Sequence, residues 1–276
     1  MMSGQLKVML LDHSEASQAA TPIHLKPLST LCRDCRVSGL CLPTGLPLHD
    51  NSCLGALIGP RMRIRRGAAL FNANDPLTML YAVRCGSFKS SLNTVEGQGV
   101  VINFWMPGDV LGLDAIATEH HVCDAIALED SEVCPVPYRR LQTLARDFPV
   151  LQQSLNRLMS REIVREHERV LMLCNLTAEQ RLASFLVGLS RRFVSRGYSA
   201  HGFMLRMSRE DMASYLGLRL ETVCRSVARL RALHIVSMHG RLVEILDMPA
   251  LMALQQGGGD GVSKDNPKAP CSTPSM

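Results

Sequence analysis

The sequence predicts an α+β chain in three parts: an antiparallel β jelly roll, one long helix and a C-terminal winged helix-turn-helix domain. Three observations lead there. Between Arg61 and Pro137, short β-rich runs alternate with turn signals. After Pro149 a helical pattern holds for roughly 25 residues. Residues 207–225 read as two helices joined at a glycine. With 276 residues and 46% hydrophobic content the chain can bury a core, and its length suits about two domains. No apolar run reaches the roughly 18 residues of a membrane helix. The N-terminal run Val8–Leu11 is broken by Asp12, His13 and Glu15, too soon for a secretory signal. A cytoplasmic protein without a membrane partner is therefore expected, its ten cysteines being thiols or metal ligands rather than disulfides.

Taken in order, residues 1–30 lack sustained periodicity and are expected to form a flexible leader. Residues 31–148 hold a cysteine-rich loop and the barrel. The loop reads Cys32-Arg33-Asp34-Cys35-Arg36-Val37-Ser38-Gly39-Leu40-Cys41 between Pro27 and Pro43. Thiolates are soft donors, so three in ten residues suit zinc or an iron–sulfur cluster and call for a fourth ligand. Thiol chemistry alone does not separate Cys123 from Cys134 for that place. Cys53, Cys85 and Cys174 are expected to be buried as small apolar residues.

Strands are expected at Met62–Arg65, Leu80–Arg84, Phe88–Val95, Val100–Met106, Ala125–Leu128 and Glu132–Val136. Arg66-Gly67, Cys85-Gly86, Glu96-Gly97 and Pro107-Gly108-Asp109 mark turns. Such close spacing predicts a jelly roll or barrel with no helix beyond a turn or two inside it. His120 and His121, adjacent on an extended segment, point to opposite faces and are assigned to a surface turn.

The long helix, residues 149–175, would be a rod of about 40 Å. Leu151, Leu155, Leu158, Met159, Ile163, Val170, Leu171 and Cys174 fall on one side; Arg157, Arg161, Arg165 and Arg169 repeat every fourth residue on another. The apolar stripe is a candidate dimer seam along Met159, Ile163, Glu166 and Val170, although it could simply pack on the barrel. Two Glu166 carboxylates meeting across a two-fold would repel, making association switchable.

Residues 176–255 form the last domain. From Thr177 to Gln255 the chain has eleven arginines, no lysine and six acids. That surplus of five equals the net charge of the whole chain, as an anion-binding domain requires. A helix is expected over Ala178–Val194 with Leu182, Phe185, Leu186 and Leu189 inward. Ser208 and Asp211 make a capping pair; Met212, Ala213 and Leu216 give a buried face, and Gly217 a tight turn. The next helix starts near Leu220, with Val223, Val227 and Leu230 inward and Glu221, Thr222, Cys224, Arg225 and Arg229 outward. Arginine reads guanine O6 and N7 and glutamate accepts from cytosine N4, so Arg225 and Glu221 suit a G·C-containing half-site. Ser237–Ile245 reads as a hairpin wing, and residues 256–276 as a disordered tail. No catalytic set is found.

Over about residues 25–250 the chain resembles the FNR-type oxygen-responsive regulators of the cyclic-AMP receptor superfamily. The resemblance rests on the cysteine loop, Pro107–Ile116, Glu179-Gln180-Arg181-Leu182-Ala183, Leu189–Phe193, and Gly217-Leu218 followed by Glu221-Thr222-Val223 and Arg225. It implies a transcription regulator of anaerobic gene expression, not an enzyme, whose dimerisation is governed by an oxygen-labile [4Fe-4S] cluster. It implies Cys32, Cys35, Cys41 and Cys134 as ligands, the last from the register of Glu129–Pro137. It also implies a homodimer, double-stranded DNA with TTGAT-like half-sites, and RNA polymerase as partners, with Arg219 able to reach a phosphate. Cys224 departs from the family's serine, and Leu220 from the base-reading arginine of cyclic-AMP receptors. Ala117–Asp124 lacks the Arg-Ser pair that holds a cyclic nucleotide's phosphate. A structural zinc or other effector in the same fold, or a thiol or iron–sulfur redox protein, are the alternatives.

Overall fold

The structure is a computed structural model that describes residues 23–24 at the backbone, 35–37, 39–42, 57–93 and 99–257. Cys32, Cys53, the rest of the expected leader and the tail from residue 258 lie outside the described residues. The backbone of β1 (Ile23–His24) pairs with β2 (Met62–Ile64), so strand pairing reaches into the stretch expected to be leader.

The barrel continues with β3 (Ala69–Phe71), β4 (Met79–Cys85), β5 (Phe88–Asn93), β6 (Gly99–Trp105), β7 (Val110–Leu111), β8 (Asp124–Ala127) and β9 (Ser131–Pro137). They form two antiparallel sheets, in orders β1-β2-β9-β4-β7 and β3-β8-β5-β6. Alternation along a strand decides which core each side chain joins. On β9, Val133 turns into the barrel with Phe71, Phe88 and Leu111, whereas Cys134 and Val136, two residues apart, turn to the opposite face with Leu80 and Ala82.

That opposite face is covered by α1 (Tyr138–Asp147), absent from the sequence expectation, and by the start of α2 (Pro149–Asn175). Proline at its first position and no further Gly or Pro let α2 run for 27 residues. The expected apolar stripe divides. Leu151, Leu155 and Leu158 are buried on the barrel, whereas Ile163, Val170 and Leu171 are 54–60% exposed. The packing alternative thus describes the first third of the stripe, and the remainder faces water.

After the two-residue link Leu176–Thr177, α3 (Ala178–Val194) starts at a capping box between Thr177 and Gln180. The last domain adds β10 (Gly202–Met204), α4 (Arg209–Leu216), α5 (Leu220–Ala232), β11 (Val236–His239), β12 (Leu242–Ile245) and α6 (Met248–Gln255). The wing is three-stranded, in order β10-β12-β11. This domain does not stand apart. Val101 and Phe104 of β6 share one buried core with α3, α4 and α5. At its centre the Phe104, Phe185 and Tyr215 rings lie 5.2–6.1 Å apart, contacts worth roughly 0.5–1.5 kcal/mol per pair beyond burial.

Candidate nucleic-acid interface and thiol site

Local chemistry sets the reading head. Ser208 Oγ accepts from the Asp211 N–H at 3.0 Å while the Asp211 carboxylate accepts from the Ser208 N–H at 3.1 Å, closing the predicted box. Helix α4 stops at Gly217, whose φ of 60° is left-handed and whose N–H returns to the Ser214 carbonyl. Arg181 ties the turn down, donating to the carbonyls of Leu216 at 3.1 Å and Leu173 at 2.8 Å.

On α5, Val223, Ser226, Val227 and Leu230 are buried. Glu221, Cys224, Arg225 and Arg229 are exposed and Thr222 is half-buried, so the predicted reading residues share one open face. Arg219 stands at the N-cap without a side-chain cap bond, leaving its exposed guanidinium available to an anion. Fold and exposed face together define a winged helix-turn-helix protein suited to a major groove.

The cysteine turn lies against the barrel at the Pro107–Asp109 turn, with Leu40 and Val37 over Gly108. Cys35 and Cys41 are half-buried on residues 35–42. Cys41, Leu42 and Cys134 belong to the apolar cluster that also takes in Leu151, Leu155 and Leu158 of α2. Cys123 joins a different cluster, inside the barrel, and its Sγ lies 3.6 Å from Asp114 Oδ2. Burial and then the Asp114 charge push the Cys123 thiol up to about 12. Cys85 and Cys174 are exposed, which corrects the expectation that both are buried. Cys85 is the last residue of β4, opposite Glu132 of β9 and next to Gly86, and its side chain is open to solvent.

Among the described residues, no three His, Cys, Asp or Glu side chains gather as a ligand group. Cys32 lies outside them, so the set under test is incomplete there. The half-buried thiols of Cys41 and Cys134, on the apolar wall under α2, and that of Cys35 on the same turn as Cys41 fit in donor chemistry a soft metal centre of the iron–sulfur kind.

Elsewhere in the barrel, His120 is exposed but His121 is buried, its ring stacked on Phe71 at 3.7 Å between centroids. The surface-turn assignment therefore holds for His120 and fails for His121, whose face of the segment turns inward. His121 Nδ1 lies 3.5 Å from Asp114, so a carboxylate and a ring occupy the stretch where a cyclic nucleotide's phosphate would need arginine.

The row of arginines on α2 acquires partners that its spacing did not reveal. Arg161 donates to the Leu40 carbonyl at 3.2 Å, Arg165 reaches Asp109 at 3.3 Å, and Arg169 donates to the Val101 carbonyl at 3.3 Å. Arg169 also lies 5.2 Å over the Tyr215 ring, a cation–π contact. Met159, Ile163 and Val170 leave the helix on its open side, and Glu166, 47% exposed, pairs with Arg169 at 3.6 Å.

Comparison with known proteins agrees with this architecture. Residues 61–148 match the model of the cyclic nucleotide-binding domain and residues 180–254 that of the Crp-like helix-turn-helix domain. The chain is 40% identical to the transcriptional regulatory protein btr of Bordetella pertussis, over 84% of this chain and 96% of that one. It is 40% identical to the fumarate and nitrate reduction regulatory protein of Salmonella typhimurium, over 81% and 89% of the two chains. It is 39% identical to the transcriptional activator protein Anr of Pseudomonas protegens, over 83% and 94%. The solved structure of FixK2 from Bradyrhizobium japonicum superposes with a TM-score of 0.66 at 28% identity, covering 72% of this chain and 97% of that one. The chain belongs to the FNR-type branch of the Crp-like helix-turn-helix regulators, DNA-binding proteins built on a cyclic-nucleotide-binding-type barrel. No helix among the described residues is long and apolar enough to cross a membrane.

Proposed function

We propose that this chain is a cytoplasmic, homodimeric transcription regulator of anaerobic genes, without a catalytic step of its own, that senses oxygen through a [4Fe-4S] cluster held by Cys32, Cys35, Cys41 and Cys134. When bound, such a cluster supplies iron–sulfur bonds that oxygen attacks. The observation that carries the reading is the common apolar wall: Cys41 and Cys134 pack on the residues that seat α2, whereas Cys123 belongs to another core.

The chain's own residues do the rest. With its thiolates ligated, the 35–42 turn stays docked, and the Leu40 carbonyl keeps Arg161 in place two residues before Ile163. That steadies the seam of Met159, Ile163, Glu166 and Val170 in the geometry two copies need. Once the turn is released, Arg161 loses its acceptor, and Glu166 facing its counterpart favours separation. A coupling of 1–3 kcal/mol, ordinary for allostery, suffices where the two states lie close. The dimer presents two α5 helices to half-sites of TTGAT type, where Arg225 and Glu221 read base edges, Thr222 and Cys224 lie beside them, and Arg219 takes a phosphate. RNA polymerase is the partner through which bound DNA becomes regulated transcription.

Purification under nitrogen tests this. A brown protein with about four iron and four sulfide per chain, bleaching in air with loss of dimer, is expected. A colourless protein holding stoichiometric zinc overturns it.

A further inference from the structure

We propose that Asp109 is a positioning residue for DNA binding: through Arg192 and Arg196 it fixes the orientation of the reading head on the barrel, and through its turn it ties that orientation to the cysteine loop. The inference rests on the function proposed above and adds a route from loop to DNA that bypasses the dimer seam.

The carboxylate of Asp109 is 6% exposed, and both its oxygens are used. Oδ2 accepts from the Met106 N–H at 2.8 Å and from Arg192 Nη2 at 2.6 Å. Oδ1 accepts from Arg196 Nη2 at 2.9 Å and from Arg165 Nη2 at 3.3 Å. Arg165 belongs to α2, whereas Arg192 and Arg196 lie at or just beyond the end of α3, in the DNA-binding domain. Both α3-side arginines also donate to this part of the barrel, Arg192 to the Phe104 carbonyl at 2.7 Å and Arg196 to the Pro107 carbonyl at 2.6 Å. One carboxylate therefore fastens the long helix and the reading head to the same turn.

The cysteine loop presses on that turn from its other side. Gly108 has φ +93°, and a Cβ there would lie 2.9 Å from Leu40 Cβ and 3.4 Å from Val37 Cβ. Only a glycine admits such an approach. Leu40 is also the residue whose carbonyl receives Arg161. Residues 107–109 are thus clamped between the cysteine turn and three guanidinium groups.

The contact is a support rather than a brake. With the head in this orientation, Glu221, Cys224, Arg225 and Arg229 are exposed, so the latch covers none of the reading face. A two-fold DNA site demands two heads at a fixed spacing of about 34 Å. A head free to pivot on the Leu176–Thr177 link would have to be ordered at the moment of binding, which lowers affinity.

The test uses full-length, cluster-loaded protein under nitrogen, with Asp109→Asn, Arg192→Gln and the double variant. Iron content, sedimentation and affinity for a duplex carrying two half-sites are measured for each. Asparagine keeps the acceptor for Met106 but removes the charge. Each single variant should bind DNA about tenfold more weakly, with iron content and dimer fraction unchanged. The double variant should lose little more than either single one, as members of one unit do. Hydrogen exchange in α3 and α4 should rise in step. Wild-type or tighter affinity in a folded, iron-loaded, dimeric variant overturns the inference, as does strict additivity. If Asp109→Asn does not fold, Arg192→Gln and its exchange pattern decide alone. A wild-type protein without iron or DNA affinity would instead refute the proposed function, leaving the latch to be judged by exchange.

Discussion

Arg161 of the long helix hydrogen-bonds the carbonyl of Leu40, 121 residues earlier in the chain, so the cysteine turn is fastened directly to the rod that bears Met159 and Ile163. Arg161→Ala removes this strap and leaves the thiols in place. A charge-assisted bond in a partly open setting contributes about 1 kcal/mol, so the anaerobic dimerisation constant should fall by about fivefold. Sedimentation under nitrogen, with iron content as the control, checks this; an unchanged constant removes Arg161 from the pathway.

The two rival thiols should part company. Cys134→Ala should abolish iron retention and Cys123→Ala should leave it intact, and the reverse result would exchange their roles. Because its folded pKa of about 12 lies above the ordinary 9.0, the Cys123 thiol favours folding fully below pH 9. That contribution fades as pH climbs towards 12, so Cys123→Ala should flatten the alkaline loss of stability, measured by melting between pH 8 and 11.

Glu166→Ala should raise the dimer fraction in air. The side chain is half exposed and leans on Arg169 within its own helix, so screening limits the gain to a few-fold. Aerobic sedimentation equilibrium reads it, and no gain would remove carboxylate repulsion from the account.

Arg225→Ala should cost about 1–3 kcal/mol of specific DNA affinity and relax preference at one base pair. A binding screen over single-base substitutions reads this out. A uniform loss over every sequence would make Arg225 a phosphate contact.

Acid should spare the Asp109 latch until well below neutral pH. Burial alone would raise this carboxyl; Arg192, then Arg165 and Arg196, more than reverse that and hold it near 2. A depressed pKa means that the stability it adds is complete above the usual 3.8 and is lost as pH falls towards 2. Exchange protection of α3 should therefore be the same at pH 5 as at pH 7.

What could be read in the sequence was local. The Ser208–Asp211 box, the Gly217 turn and the buried face of α5 are each decided within one turn of helix, and the structure shows them as read. The main strands followed from alternation and turn residues for the same reason. The misses share a different origin. The α1 helix has an apolar face of Tyr138, Leu141, Leu144, Ala145 and Phe148 at helical spacing, but it is only ten residues long and lies between the last barrel strand and the long helix, so its periodicity was passed over. The arginine row of α2 was visible as a pattern, but its partners Leu40, Asp109 and Val101 lie 56 to 121 residues away. Nothing in helical spacing names an acceptor on another element. Likewise, Cys85 was read at a turn signal yet expected to be buried, whereas it ends β4 opposite Glu132 with its side chain exposed.

The long helix turns three arginines towards its own body and a run of apolar side chains towards water, the inverse of what an isolated surface helix does. A solitary chain is therefore an unfinished folding unit, and its robustness should depend on how many copies surround it. Dilution ought to lower the melting temperature, linking the durability of the fold to the abundance of the protein.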